Sequence, residues 1–157
     1  MYVVILVRGM FVMSIIFRLA TIDDIENIIL LCNECFEEKT SLDYALRVFN
    51  ETKDDKNQIY LVGIADNKII AHTKITIIPT IYEKMNKYAI LNHVCVKPEY
   101  RRHNIATKML DECEKICRNN GCVAMELWSN NFRVPAHACY KNYGFVVNDA
   151  KFFSKEI

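Results

Sequence analysis

Glycine and proline are scarce, at four and three residues in a chain of 157. That excludes a collagen-like repeat, a linker-rich chain and an all-β fold with many tight turns. An excess of charge of one sign is missing too. Lys and Arg number 20 against 19 Asp and Glu, a formal net charge of +1. A bulk polyanion is not called for, so nucleic acid is not an expected partner. No uninterrupted apolar run is long enough to span a bilayer. The most apolar stretch, MYVVILVRGMFVMSIIF at 1–17, is broken by Arg8. It also lacks the basic start and small-residue cleavage site of a signal peptide.

What is present has the balance of a soluble globular protein, 52% apolar and 25% charged. A chain of this length buries a sizeable core in one domain. The domain is expected to begin near Met13 and to run to residue 157. Residues 1–12 then form an N-terminal extension, from an upstream start codon or as an added edge strand, with a membrane anchor as the minor alternative. Seven cysteines sit at 32, 35, 95, 113, 117, 122 and 139. They read as free thiols used as small core residues in a reducing cytoplasm. Cys32 and Cys35 have the spacing of a metal half-site. No second such pair and no matching histidines accompany them, so no metal is expected.

The hydrophobic pattern switches between a period of two and the helical period. SIIFRLA (14–20) reads as a strand, and Thr21 with Asp24 as a capping-box helix start. Ile25, Ile28, Ile29, Cys32 and Phe36 then make one apolar helix face. A second helix is predicted from Ser41 to about Thr52, with Leu42, Ala45, Leu46 and Phe49 inward. Strands at 58–65 and 68–78 flank Asp66-Asn67, a hairpin signal, and 88–96 is a third strand. A helix from about His103 carries Ile105, Met109, Leu110, Cys113, Ile116 and Cys117 on one face, ending at Asn119-Asn120-Gly121. A strand at 122–128, a short helix at 135–143 closed by Gly144, and a terminal hairpin complete the chain. The order β-α-α-β-β-β-α-β-α-β-β implies an α+β fold with a mostly antiparallel sheet and one strand–helix–strand crossover at 88–128.

Within that crossover lies VCVKPEYRRHNIATKML, residues 94–110. An apolar strand ends before Pro98, and the next helix opens with Arg101 and Arg102. Helix starts favour acids, because their unpaired N–H groups carry partial positive charge. Two arginines there suit the holding of an anion, as backbone N–H groups of 101–107 could donate to phosphate oxygens. The alternative is a solvated basic turn beside a core helix.

VCVKPEYRRHNIATKML resembles the central motif of the GCN5-related N-acetyltransferases (GNAT), [QR]-x-x-G-x-[GA] after a V-x-V strand. Arg101 and Ala106 fit the first and last positions, and Asn104 stands where glycine is expected. RVPAHACYKNYGF (133–145) resembles the family's R-x-x-A-H-x-F-Y-E-K-x-G-F ending, and FRLATIDDIENIILL its opening. The resemblance implies acetyl-CoA as cosubstrate, held by Val94, Cys95 and Val96 along its pantetheine arm. Arg101, Arg102, His103, Asn104, Ile105, Ala106 and Thr107 would hold its pyrophosphate. The backbone around Val94 would polarise the thioester carbonyl. Tyr140 matches the family's proton donor to the leaving thiolate, and would otherwise be an aromatic core residue.

The base is less defined. Asn92 occupies a place that is often acidic in related sequences, and His93 follows, an imidazole able to move protons near neutrality. Strict alternation puts His93 on the face opposite Asn92 and Val94. His72 and Glu126 are further candidates, and an amine that enters neutral needs no base. Glu37, Glu38 and Asp43 would flank the acceptor pocket or form a solvated charged loop. The implied activity is acetyl-CoA-dependent N-acetylation of a small-molecule or peptide amine. A non-catalytic acyl-CoA-binding module in the same cleft is the alternative. The terminal strands and the apolar N-terminus offer surfaces for a homodimer.

Overall fold

The computed structural model describes residues 2–7, 11–84 and 86–157, with side chains from Ser14 onward except Met85. Six strands form one sheet in sequence order: β1 (Tyr2–Val7), β2 (Phe11–Leu19), β3 (Gln58–Ala65), β4 (Lys68–Ile78), β5 (Tyr88–Val96) and β6 (Ala124–Leu127). Neighbours from β1 to β5 are antiparallel, and only β6 runs parallel to β5. Four helices accompany them: α1 (Ile25–Phe36), α2 (Leu42–Thr52), α3 (Ile105–Asn119) and α4 (Val134–Tyr143). The parallel pair is the one that needs a crossover, and α3 supplies it.

Local chemistry places the element ends. The Asp24 carboxylate accepts from the Thr21 N–H at 2.7 Å and from both terminal nitrogens of Arg18 at 2.6 and 2.8 Å. The Arg18 contact is the chief reason this carboxyl is lowered to about 2. One 3₁₀ turn, Ile22–Asp24, precedes α1. Ser41 caps α2 by accepting from the Tyr44 N–H. Asp66 and Asn67, at φ of 50° and 58°, form the two-residue turn between β3 and β4, the geometry that Asp and Asn tolerate. Gly121 and Gly144, at φ of 75° and 114°, end α3 and α4.

Two cores lie on opposite faces of the sheet. On one face α3 packs Ile105, Met109, Leu110, Cys113 and Cys117 against Ile15, Leu61, Ile75, Ala89 and Leu91, with Tyr140 and Tyr143 of α4 at its margin. On the other, Ile25, Ile28, Leu31 and Cys32 of α1 and Phe49 of α2 meet Val62 and Cys95. The helical faces read from the sequence are the buried ones.

Three expectations change. The strand expected from Ser14 starts at Phe11, while Tyr2–Val7 pairs with it as the added edge strand that was one alternative for residues 1–12. The strand expected over 122–128 is only Ala124–Leu127. The terminal hairpin does not form, since residues 145–157 carry no regular structure and Val146, Val147, Phe152 and Phe153 are exposed. Alternation in a sequence says which face of a strand is apolar, but a strand also needs an edge to bond. The four residues of β6 offer little. Among the described residues no helix is long and apolar enough to cross a membrane.

Candidate active site

β5 and β6 pair only from Tyr88↔Ala124 to Leu91↔Leu127. Beyond Leu91, β5 continues to Val96 while β6 has ended. One edge of residues 92–96 therefore faces a gap, with backbone N–H and C=O groups available to a ligand lying alongside. Ligands favour such openings at the carboxyl ends of strands around a crossover. Tyr140 of α4 packs against the same core as Val94 of β5.

A bulge in β5 sets the chemistry of the opening. The ladder with β4 runs His72↔Cys95 and then Lys74↔Asn92, so two residues, His93 and Val94, lie opposite Thr73 alone. His93 takes the left-handed conformation, φ 51°, one that a non-glycine residue adopts at a cost. Its Nε2 lies 3.1 and 3.3 Å from the two carboxylate oxygens of Glu38. Its ring stands edge-on to Phe36, centroids 5.1 Å apart. The Arg133 guanidinium, at the start of α4, covers Phe36 at 4.3 Å. A row from α4 to β5 and the α1–α2 loop thus borders the gap.

The bulge corrects the alternation argument. Leu91 and Val94 both face the α3 core, so two successive residues between them, Asn92 and His93, are turned toward the α1 and α2 side. His93 is opposite Val94, as expected, but not opposite Asn92. Of the other candidates, His72 is 4% exposed and its Nδ1 pairs with the Leu61 carbonyl at 2.9 Å. Burial pushes this imidazole down to about 4, which makes it a neutral core residue. Glu126 is exposed on β6. Tyr140 is half-buried, and burial raises its phenol above the ordinary range, with Arg133 opposing. It is held as a neutral hydroxyl, the form that can give a proton.

The segment after β5 makes the second half of the site. Arg102 and Asn104 both adopt positive φ, 64° and 58°, and Asn104 is the residue before α3 with no side-chain cap on the helix. Left-handed residues in such a turn direct successive N–H groups into one concavity, suited to an anion. Asparagine pays little for that conformation, so it performs the backbone role for which glycine was expected. The first intrahelical bond, from the Lys108 N–H to Asn104, is 3.1 Å, which leaves the N–H groups of 105–107 facing outward. The two arginines differ. Arg101 turns back, its Nε donating to the Val96 carbonyl at 2.9 Å and Nη2 to the Cys35 sulfur at 3.6 Å. Arg102 is exposed. His103 pairs with the Tyr100 carbonyl, and Ala106 packs on the core.

Phe36 and Arg133 were not among the sequence candidates. Phe36 was read as part of an apolar helix face and Arg133 as the opening of the second motif; that they meet at His93 follows only from the packing of α1, β5 and α4. Among the described residues no group of three or more His, Cys, Asp or Glu is placed to hold a metal ion.

Comparison with known proteins agrees with this architecture. The chain is 25% identical over 154 residues to a spermidine N(1)-acetyltransferase of Thermoplasma acidophilum, covering 87% of this chain and 91% of that one. The structure of a predicted acetyltransferase from Clostridium acetobutylicum, solved with acetyl-CoA, superposes with a TM-score of 0.74 at 22% identity, over 90% of this chain and 96% of that one. The aminoglycoside N-acetyltransferase AAC(6')-Iy, in complex with CoA, gives 0.81 at 16% identity, over 96% of this chain and 99% of the other. The model of the acetyltransferase (GNAT) family matches residues 22–145, which span β3 to β6, all four helices, the β5 bulge and Tyr140. On that match the chain belongs to the GNAT family and is an N-acetyltransferase.

Proposed function

We propose that the chain transfers the acetyl group of acetyl-CoA to a primary amine of a small molecule or peptide. The observation that carries this reading is the β5 bulge, which sets a His93–Glu38 pair beside an unpaired strand edge. The catalytic domain is taken as 13–157, with residues 1–12 as an extension adding an edge strand.

The residues present fit acetyl-CoA. Residues 92–96 offer one side of a backbone ladder for the pantetheine amides, and 101–107 offer a concave row of N–H groups with Arg102 for the pyrophosphate. Bound there, acetyl-CoA supplies an activated thioester carbonyl. The Val94 backbone stabilises the negative charge developing on that oxygen. Glu38 orients the His93 imidazole, which takes the proton from an incoming ammonium, with Asn92 beside it on the same face. Glu37 and Asp43, both exposed on the same side, favour a cationic acceptor. Tyr140 gives its proton to the departing thiolate. Arg133 and Phe36 hold the imidazole in place.

The test is acetylation of a panel of amines, spermidine and aminoglycosides among them, with release of free thiol as the readout. His93→Ala is expected to lower kcat about a hundredfold, the range of one general base. Tyr140→Phe should lower kcat about tenfold or more with CoA affinity unchanged in calorimetry. Equal loss of turnover and affinity would make Tyr140 a structural residue. Clear CoA binding with no product from any amine would leave a binding module instead.

A further inference from the structure

Three of the seven cysteines gather where α1 meets β5. Cys32 and Cys35, one turn apart on α1, pack in one core cluster with Cys95 of β5. Cys32 and Cys95 are buried, whereas Cys35 is half-buried and reachable from solvent. Cys35 has two further partners. It donates to the Val96 carbonyl at 3.6 Å and accepts from the Arg101 guanidinium at 3.6 Å. A thiol beside a guanidinium is biased toward the thiolate, the nucleophilic form. The Cys35 thiol is accordingly lowered to about 7, chiefly by its contact with Cys95 and then by Arg101, against burial and the charge of Glu34. Cys95 moves the other way, raised well above the ordinary thiol range by its contacts with Cys32 and Cys35 and by burial. An accessible nucleophilic sulfur thus has a buried thiol directly behind it. Acetyl transfer uses neither side chain.

We propose that Cys35 is a hydroperoxide-reactive modification site, resolved by Cys95 into a disulfide that tethers α1 to β5 and disturbs the segment from Val96 to Thr107. The chemistry is balanced with a hydroperoxide as oxidant. The Cys35 thiolate attacks one peroxide oxygen, so an S–O bond forms, the O–O bond breaks, and the leaving oxyanion takes a proton from water. The Cys95 sulfur then attacks the Cys35 sulfur of the sulfenic acid. An S–S bond forms, the S–O bond breaks, and hydroxide leaves with the Cys95 proton as water. Two thiols lose two electrons, and the peroxide gains them. Arg101 thereby loses its sulfur partner, and Cys95 gives up its bond to the His72 carbonyl, 3.6 Å in the reduced protein. Both changes fall on the segment that opens into residues 101–107. The effect on CoA rests on the proposed function; the thiol chemistry does not.

Treatment of the full chain with an equimolar hydroperoxide, then alkylation and peptide mapping, is expected to yield a Cys35–Cys95 crosslink. The intact mass should fall by two hydrogens. C95S should leave a sulfenic acid on Cys35 that a cyclic diketone traps, and C35S should give neither product. In the untreated protein, iodoacetamide near neutrality should label Cys35 about tenfold faster than Cys122, which is also half-buried but whose thiol is raised by burial. That comparison needs no variant to fold. Oxidation should weaken CoA about tenfold in calorimetry, through displacement of the 101–107 row, and a dithiol reductant should restore it. Bridges that omit Cys35, equal labelling of Cys35 and Cys122, or a crosslink that leaves CoA affinity unchanged would overturn the proposal. If the crosslink forms in a protein whose reduced form does not bind CoA, the function fails and the thiol assignment stands.

Discussion

At Asn104 a single side chain reconciles an irregular motif with a regular backbone. The turn before α3 needs a left-handed residue, and Asn104 supplies it at φ 58°. Glycine would supply the same angle with greater loss of chain entropy, so Asn104→Gly is expected to change CoA affinity and stability little. Asn104→Ala should cost about 1 kcal/mol in urea unfolding, because alanine meets the full left-handed penalty without a polar side chain to bond locally. His93 is the reverse case. Its φ of 51° is paid for by the fold, and glycine there would ease the backbone while deleting the imidazole. The sequence showed both residues as candidates. It did not show that both are left-handed, because that angle is imposed by the ladder mismatch at Thr73 and by the entry into α3.

On β3, packing leaves little room at Gly63. A Cβ on Gly63 would come within 2.8 Å of the Phe17 ring and 3.1 Å of the Ala71 Cβ. The position also adjoins the irregular register between β3 and β4, at Gly63 and Ile64. Gly63→Ala is therefore expected to destabilise by about 1–3 kcal/mol, the range for overpacking a filled core, read as a lower denaturant midpoint. The helices α1, α2 and α3 were legible from spacing alone: α1 and α3 each bury a stripe, and α2 buries Phe49 with Leu42, Ala45 and Leu46 half-buried against the same core. The strands were legible in position but not in extent. β6 stops at Leu127 although apolar residues flank it, so local apolarity alone does not decide where pairing ends. The same stop leaves residues 92–96 of β5 open, so the element that was misjudged in length is the one that creates the site.

For the whole molecule, the buried imidazole of His72 sets the response to acid. Its folded-state value is about 4 against an ordinary 6.5, so between those limits the unfolded chain binds more protons than the folded one. Stability is full above pH 6.5 and falls as pH drops toward 4, by on the order of 3 kcal/mol across the window. The Asp24 carboxylate, lowered to about 2 from 3.8, withdraws its own contribution only below that window. Denaturant midpoints measured across pH 6.5 to 4 should fall steeply for the natural protein. His72→Gln should flatten the slope, and an unchanged slope would assign the acid response elsewhere. This buried histidine faces the same strand as the catalytic candidate, and the sequence treated the two alike.

The sequence by itself determined the secondary pattern, the two core faces and the two motifs that mark a GNAT chain, because these depend on periodicity and on residues close in the chain. Only the tertiary structure decided which histidine is buried and which faces Glu38, which arginine turns back to Val96, and that Cys32, Cys35 and Cys95 meet. Each of those outcomes depends on a one-residue bulge or on helices docking across the sheet. One extra residue in β5 reverses which side chains share a face, and no local pattern in the sequence fixes where that residue is inserted.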